Sequence, residues 1–202
     1  SIGTTVGGFV IAGGLAGENA GGEVAGVGDV NGDGFDDLFV GSSNTTVSVS
    51  GNGDGYVVFG KADSSQITLA DVAALGQGFL IEGDEDAQTG IAAAGIGDIN
   101  GDGLADLLLG APGDDTGDTD AGGAFVVLGK GDGSTVSLVG IAAGTENGLF
   151  IQGADANGRA GDAVGSVSDL NGDGISELLI GAPNLPNSAT SGGSGFVVFT
   201  PD

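Results

Sequence analysis

A sequence unit recurs along this chain of 202 residues, and each copy is marked by a nine-residue acidic run. The run occupies residues 29–37, 98–106 and 169–177, so that successive copies begin 69 and then 71 residues apart. Regular recurrence is typical of repeat architectures, in which each unit forms one supersecondary structure and stacks on its neighbours. We therefore expect a single array of repeats over residues 1–202.

Each acidic run places oxygen-bearing side chains at its positions 1, 3, 5 and 9 and glycine at positions 4 and 6. Alternating oxygen donors in a glycine-containing loop suit a hard cation such as Ca²⁺, whose loops also use a main-chain carbonyl at position 7. The sequence therefore predicts three Ca²⁺ sites, one in each repeat. The candidate ligands are Asp29, Asn31, Asp33, the carbonyl of Phe35, and Asp37; then Asp98, Asn100, Asp102, the carbonyl of Leu104, and Asp106; then Asp169, Asn171, Asp173, the carbonyl of Ile175, and Glu177.

Other interpretations of the acidic run are weaker. A single Asn-Gly-Asp-Gly segment is a strong hairpin-turn signal, but three copies with the same oxygen positions favour metal binding. An EF-hand loop requires a bidentate Glu at position 12, where this chain has Val40, Leu109 and Ile180. Mg²⁺ is a weaker candidate because it prefers fewer protein ligands and octahedral geometry. Glu177 replaces the Asp of the other runs, and the sequence does not predict how its longer side chain alters the third site.

Each repeat also contains four short segments rich in β-branched and aromatic residues, separated by Gly, Asn and Asp. Such runs are typical of β-strands, and consecutive apolar residues indicate burial on both faces. Four strands in each repeat predict an all-β protein built from three four-stranded antiparallel blades of a β-propeller. The expected repeats span approximately 7–77, 78–147 and 148–202, and the segment Leu69–Leu75 is expected to form one or two helical turns.

The repeated pattern also resembles a known family. Each unit has an aromatic strand ending in Gly, then the acidic run, and later a Gly-x-x-Val-Val type of segment; Gly110-Ala-Pro112 and Gly181-Ala-Pro183 follow the second and third runs. Together these motifs resemble the FG-GAP repeat of integrin α-subunit propellers and of many bacterial extracellular proteins. The first repeat departs from the pattern with Gly41-Ser-Ser43. The resemblance implies a β-propeller with Ca²⁺ in the loop joining the two inner strands of a blade, and adhesion or ligand binding more often than catalysis.

Charge and residue types exclude several classes of function. With 28 acidic and 3 basic residues the formal net charge is −25, which disfavours nucleic acids and anionic membrane surfaces as partners. The chain has no Cys and no His, so it lacks thiolate ligands, the usual zinc ligand and the usual general base. No apolar run approaches the roughly 20 residues that cross a bilayer.

These observations favour an extracellular Ca²⁺-binding module over an enzyme. Loops of modest affinity fill where free Ca²⁺ is on the order of millimolar, as it is outside cells. Most distinctive carboxylates belong to the repeat, Trp is absent and Tyr56 is the one tyrosine, which leaves little for glycoside chemistry or sugar stacking. We expect adhesion, matrix assembly or self-assembly, with a protein or a glycan as candidate ligand. The alternative is a fragment of a larger propeller that binds carbohydrate or degrades polysaccharide.

The two ends of the chain predict self-association. Phe9–Gly13 corresponds to the outermost strand of a preceding blade, and Phe196–Phe199 to the third strand of a blade that lacks its fourth. Propellers usually have four to eight blades, so three blades predict a larger ring or a filament. Two copies would close a homodimeric ring if each donated Phe9–Gly13 to the other's last blade, and an open exchange would give a filament. The alternative that the chain belongs to a longer array stays open.

Overall fold

The computed structural model describes residues 7–14, 16, 18–42, 53–83, 87–185 and 192–200. Apart from a 3₁₀ turn at Leu69–Asp71 and one helix, α1 (Leu138–Ala142), the regular structure in these residues is β. The strands are β1 (Ile11–Ala12), β2 (Ala20–Gly28), β3 (Asp37–Ser42), β4 (Asp54–Val58), β5 (Ile67–Thr68), β6 (Gly78–Glu82), β7 (Ala93–Gly97), β8 (Asp106–Ala111), β9 (Gly123–Val127), β10 (Val136–Ser137), β11 (Leu149–Gln152), β12 (Ala163–Val167), β13 (Glu177–Ala182) and β14 (Ser194–Val198). The all-β prediction is confirmed, and the 3₁₀ turn lies in the segment predicted to be helical.

The strands group into three antiparallel blades that follow the sequence repeats. The first blade has the order β2-β3-β4-β6 and the second has the order β7-β8-β9-β11. The third blade contains β12, β13 and β14 within the described residues. The same register recurs in each, since Phe39 faces Val57, Leu108 faces Val126 and Leu179 faces Val197. In the part of the chain that the structure describes, two four-stranded blades and one three-stranded blade therefore carry the predicted repeat. No described helix is long and apolar enough to cross a bilayer.

The long connections after β4 and β9 contain short strands that the sequence did not predict. β10 pairs in parallel with β6, the outermost strand of the first blade, with Val136 opposite Ile81. β5 pairs in parallel with β1 in the same way, with Ile67 opposite Ile11. Each connection therefore reaches back from its own blade to a preceding outermost strand. β1 occupies the place of such a strand.

In each connection, a lysine contacts the outer segment with which that connection pairs. Lys130 Nζ donates to Ser134 Oγ at 2.6 Å, lies 3.1 Å from Asp132 Oδ1, and lies 5.0 Å from the centre of the Phe79 ring. Hydrogen bonds from the hydroxyl and the amide of Ser134, together with Lys130, lower the pKa of Asp132 to about 2. The matching group in the first connection consists of Lys61, Asp63, Ser65 and Phe9. Lys130 thus helps to hold the second blade to the first, and Lys61 holds its connection to the segment beside β1.

The hydrophobic core lies between the faces of successive blades. Phe39 and Val57 of the first blade pack in one cluster with Leu107 and Phe125 of the second. A second cluster joins the second and third blades and includes Leu108, Val126, Leu178 and Ile180. Neighbouring residues such as Leu107 and Leu108 point to opposite faces of a strand, which explains why the central strands are apolar at consecutive positions. This packing holds the acidic runs in fixed places on the blades.

Candidate metal centres

Each acidic run forms the turn between the first and second strands of its blade. The first follows β2, the second follows β7 and the third follows β12, as the sequence predicts. The glycines at positions 4 and 6 have left-handed backbone conformations; in the first run φ is 76° at Gly32 and 91° at Gly34. Glycine adopts these angles without steric cost, so the turn can curl its side chains toward its own backbone.

The carboxylate at position 1 organises the backbone of the loop. In the first run Asp29 accepts hydrogen bonds from the amides of Gly32 at 2.7 Å, Asp33 at 3.1 Å and Gly34 at 2.9 Å. These amides, with Gly34 contributing most, hold the pKa of Asp29 below its ordinary value. Asp98 and Asp169 accept the corresponding amides in the other loops. The carboxylate of Asp29 is therefore kept ionised, the form that binds a cation.

Positions 3 and 5 lie next to each other in all three loops. In the first loop Asn31 Nδ2 donates to Asp33 Oδ2 at 3.1 Å, and Asn31 Oδ1 accepts from the amide of Asp33 at 2.8 Å. The equivalent Asn–Asp contacts are 3.0 Å in the second loop and 2.7 Å in the third, between Asn100 and Asp102 and between Asn171 and Asp173. The loop therefore places these two predicted metal ligands next to each other.

Position 9 is buried and has a structural role that the sequence did not reveal. Asp106 Oδ2 accepts from the amide of Ile99 at 2.9 Å, and its Oδ1 accepts from the amide of Gly129 at 2.8 Å. Asp37 accepts from Val30 and Gly60 in the same way. Burial raises the pKa of Asp37 and of Asp106, although these amides act in the opposite direction.

Gly60 and Gly129 lie just after the third strands β4 and β9. The carboxylate at position 9 therefore joins the loop to the end of the third strand. A Cβ atom on Gly129 would lie 2.5 Å from the carbonyl oxygen of Ala105. Glycine at this place therefore allows its amide to approach the carboxylate. The recurring Val-Val-x-Gly segment is the sequence signal for this contact, and the third repeat departs from it with Thr200.

The third loop brings its carboxylates closest together. One oxygen from each of Asp169, Asp173 and Glu177 lies within 4.8 Å of the other two, and this is the one such acidic group among the described residues. Glu177 Oε2 also accepts from the amide of Leu170 at 2.6 Å. The extra methylene of Glu177 extends its carboxylate further from β13 than the Asp of the other loops, which accounts for the convergence. The donor set consists of carboxylate and amide oxygens and fits a hard divalent cation.

The residues at position 7 are predicted to offer only their main-chain carbonyls to a cation, and their side chains differ in exposure. The side chain of Phe35 is exposed, whereas those of Leu104 and Ile175 are partly buried. A cavity of about 490 Å³ lies beside the second loop and is lined by Asp102, Lys130 and Glu146. An equivalent cavity of about 350 Å³ lies beside the first loop and reaches Asp33. Each of these cavities therefore adjoins one acidic loop.

Comparison with protein families agrees with this geometry. The model of the FG-GAP repeat matches residues 21–59, 90–127 and 160–198, which together make up more than half of the chain. The chain belongs to the FG-GAP repeat family. FG-GAP repeats form β-propellers, are typically extracellular and are generally non-enzymatic. Each matched segment contains the first three strands of a blade and its acidic loop, whereas the fourth strands β6 and β11 lie outside the matches.

Proposed function

We propose that this FG-GAP chain is an extracellular β-propeller module that binds three Ca²⁺ ions, one in each acidic loop, and serves adhesion, matrix assembly or self-assembly rather than catalysis. The observation that carries the proposal is the convergence of Asp169, Asp173 and Glu177 in a loop whose fold recurs in every blade. Ca²⁺ takes six to eight oxygen ligands at about 2.3–2.6 Å, and a loop of this kind supplies most of them.

In this proposal the ions stabilise the blades. Without a cation, the carboxylates within each loop repel one another, and burial already disfavours the charged form of Asp37 and Asp106. A ligand that binds only the folded state stabilises it by about 2.7 kcal/mol per site when its concentration is 100 times the dissociation constant. For a protein of this size that corresponds to a rise in Tm of roughly 5–10 °C per site. Adhesion or assembly would then depend on extracellular Ca²⁺.

Thermal unfolding followed by circular dichroism tests the proposal. We expect Tm to fall when EDTA replaces millimolar Ca²⁺, and Mg²⁺ to restore less of it than Ca²⁺ does. Asp173→Asn should lose about one third of the Ca²⁺-dependent shift, because one of the three sites is impaired. The matched control is Asp155→Asn, which changes an exposed acid outside the runs and should keep the full shift. Equal Tm values in Ca²⁺ and in EDTA would overturn the proposal.

A further inference from the structure

The two ends of the blade stack carry complementary unpaired surfaces, and we propose that a second copy of this chain joins them head to tail. In this assembly β1 of one copy becomes the fourth strand of the third blade of the other copy. The inference rests on the proposed function in that it names the partner and the surface for self-assembly. The fourth strands that complete the first and second blades show the pairing that the third blade would take up.

The outer edge of β14 has the place that a fourth strand covers in the other blades. One edge of β14 pairs with β13, and no described strand pairs with the other edge. The equivalent strands β4 and β9 are covered by β6 and β11. Phe125 of β9 is 1% exposed and stacks on Phe150 of β11, with ring centroids 4.4 Å apart. Phe196 holds the same place in β14 but is 45% exposed. Within the described residues, no strand of the third blade therefore covers this ring.

β1 has the place of a fourth strand, and among the described residues no third strand pairs with it. It pairs in parallel with β5, as β6 pairs with β10. Lys61 lies over the ring of Phe9 at 5.0 Å, as Lys130 lies over the ring of Phe79 at 5.0 Å. β6 uses its remaining edge to pair with β4. The corresponding edge of β1 has no described partner, and Val10 beside it is exposed.

The observed ladders define the register of the proposed pairing. Gly55 faces Ile81 and Tyr56 faces Leu80 in the first blade. Ala124 faces Ile151 and Phe125 faces Phe150 in the second blade. The repeat places Gly195 and Phe196 at the positions of these third-strand residues, and Ile11 and Val10 at those of the fourth-strand residues. The assembly therefore sets Gly195 opposite Ile11 and Phe196 opposite Val10, which brings two exposed apolar side chains together.

Exposed apolar residues on the outward faces of the first and third blades support the same contact between copies. Val197 on the outer face of the third blade is 46% exposed, whereas Val57, its equivalent in the first blade, is 0% exposed because the second blade covers it. On the opposite end of the stack, Leu38 and Val24 are exposed on the first blade, although Leu107, the equivalent of Leu38, is buried. A second copy covers both faces with the packing that already joins β2 to β7 and β7 to β12. Like charges on two such acidic chains oppose this contact, so it should be stronger when Ca²⁺ and salt reduce the repulsion.

Engineered cysteines test the register, because the chain has no Cys of its own. The variants Val10→Cys and Phe196→Cys are made separately and mixed in oxidising buffer with millimolar Ca²⁺. Residues facing each other in an antiparallel pair lie within the range of Cα separations that a disulfide spans. We expect a disulfide-linked dimer from the mixture, and at least tenfold less dimer from either variant alone. The matched control is Val10→Cys mixed with Val197→Cys, which moves the second thiol to the opposite face and should crosslink at least tenfold less.

Light scattering of the unmodified chain in Ca²⁺ gives an independent measure of the same contact, and we expect species larger than a monomer. A monomer at 100 µM together with no crosslinking of the first mixture would overturn the docking proposal, and so would equal crosslinking in the control mixture. The Ca²⁺-dependent Tm of the same samples is read separately. A monomer that does not crosslink but retains the Tm shift contradicts only the docking proposal, whereas assembly without any Tm shift contradicts only the proposed Ca²⁺ function.

Discussion

Replacing Asp106 with Asn tests whether position 9 of the acidic run joins the loop to the third strand of its blade. Asp106 is fully buried, and each of its oxygens accepts one backbone hydrogen, from Ile99 at 2.9 Å and from Gly129 at 2.8 Å. Asn has the same shape but only one acceptor oxygen. One of the two amides must therefore face the NH₂ group of the new side chain and lose its partner.

The expected cost is a loss of about 2 kcal/mol in the free energy of unfolding. A buried donor left without a partner costs about 1–3 kcal/mol, and the remaining bond loses about 1 kcal/mol because it is no longer charge-assisted. Relief of the buried charge acts in the opposite direction, and the raised pKa of Asp106 shows that burial of this charge is unfavourable. With a urea m-value of about 2 kcal/mol/M, the midpoint should fall by about 1 M.

Urea unfolding in EDTA, followed by circular dichroism, isolates this contact from any bound ion. Asp102→Asn is the matched control, because Asp102 lies in the same loop but is exposed and can keep its bond from the amide of Leu104. We expect the control to change the free energy of unfolding by about 0.5 kcal/mol or less. An unchanged midpoint for Asp106→Asn, or equal midpoints for the two variants, would refute the assignment of a structural role to position 9.

Three further predictions concern the packing of the blades. Gly110→Ala should destabilise the protein by about 1–3 kcal/mol, because the new Cβ would lie 1.9 Å from the carbonyl oxygen of Gly161; an unchanged Tm would contradict this contact. Phe125→Ala should cost about 3–5 kcal/mol in urea unfolding, since the ring is fully buried, and a cost below about 1 kcal/mol would show that the interface is loosely packed. Ser134→Ala removes the hydroxyl hydrogen bond that does most to lower the pKa of Asp132 to about 2, and it keeps the amide bond; the stabilisation that the hydroxyl provides is therefore present above the ordinary value of 3.8 and is lost as pH falls toward 2. The Tm difference between Ser134→Ala and the unmodified chain should therefore shrink between about pH 5 and pH 2, and a constant difference would count against this assignment.

The blade order could be predicted because its signals are local and repeated. Segments such as Leu107–Leu109 are apolar at consecutive positions, which indicates burial on both faces, and the acidic runs mark the turn after each first strand. The strands β5 and β10 could not be predicted, because each has two residues and pairs in parallel with a strand of a preceding unit. The part of the first repeat that departs from the family pattern at Ser43 lies outside the described residues.

The candidate metal sites, like the fold, could be predicted only in part from the sequence. The closeness of positions 1 and 5 could be predicted from the spacing of the oxygen side chains, because the amide of Asp33 donates to Asp29 within the same loop. That these residues bind a cation stays a prediction. The burial of Asp106 could not be predicted, because its partner Gly129 lies 23 residues further along the chain and reaches it only when the blade forms. The reach of Glu177 also depends on where β13 places its backbone, so the sequence alone left the effect of the substitution open.

The central claim, that each repeat holds one Ca²⁺ ion, is tested most directly by native mass spectrometry of the chain in Ca²⁺. We predict three bound ions for the unmodified chain and two for each of the single variants Asp33→Asn, Asp102→Asn and Asp173→Asn. A chain that binds no Ca²⁺, or whose stoichiometry is the same in all three variants as in the unmodified protein, would contradict the account.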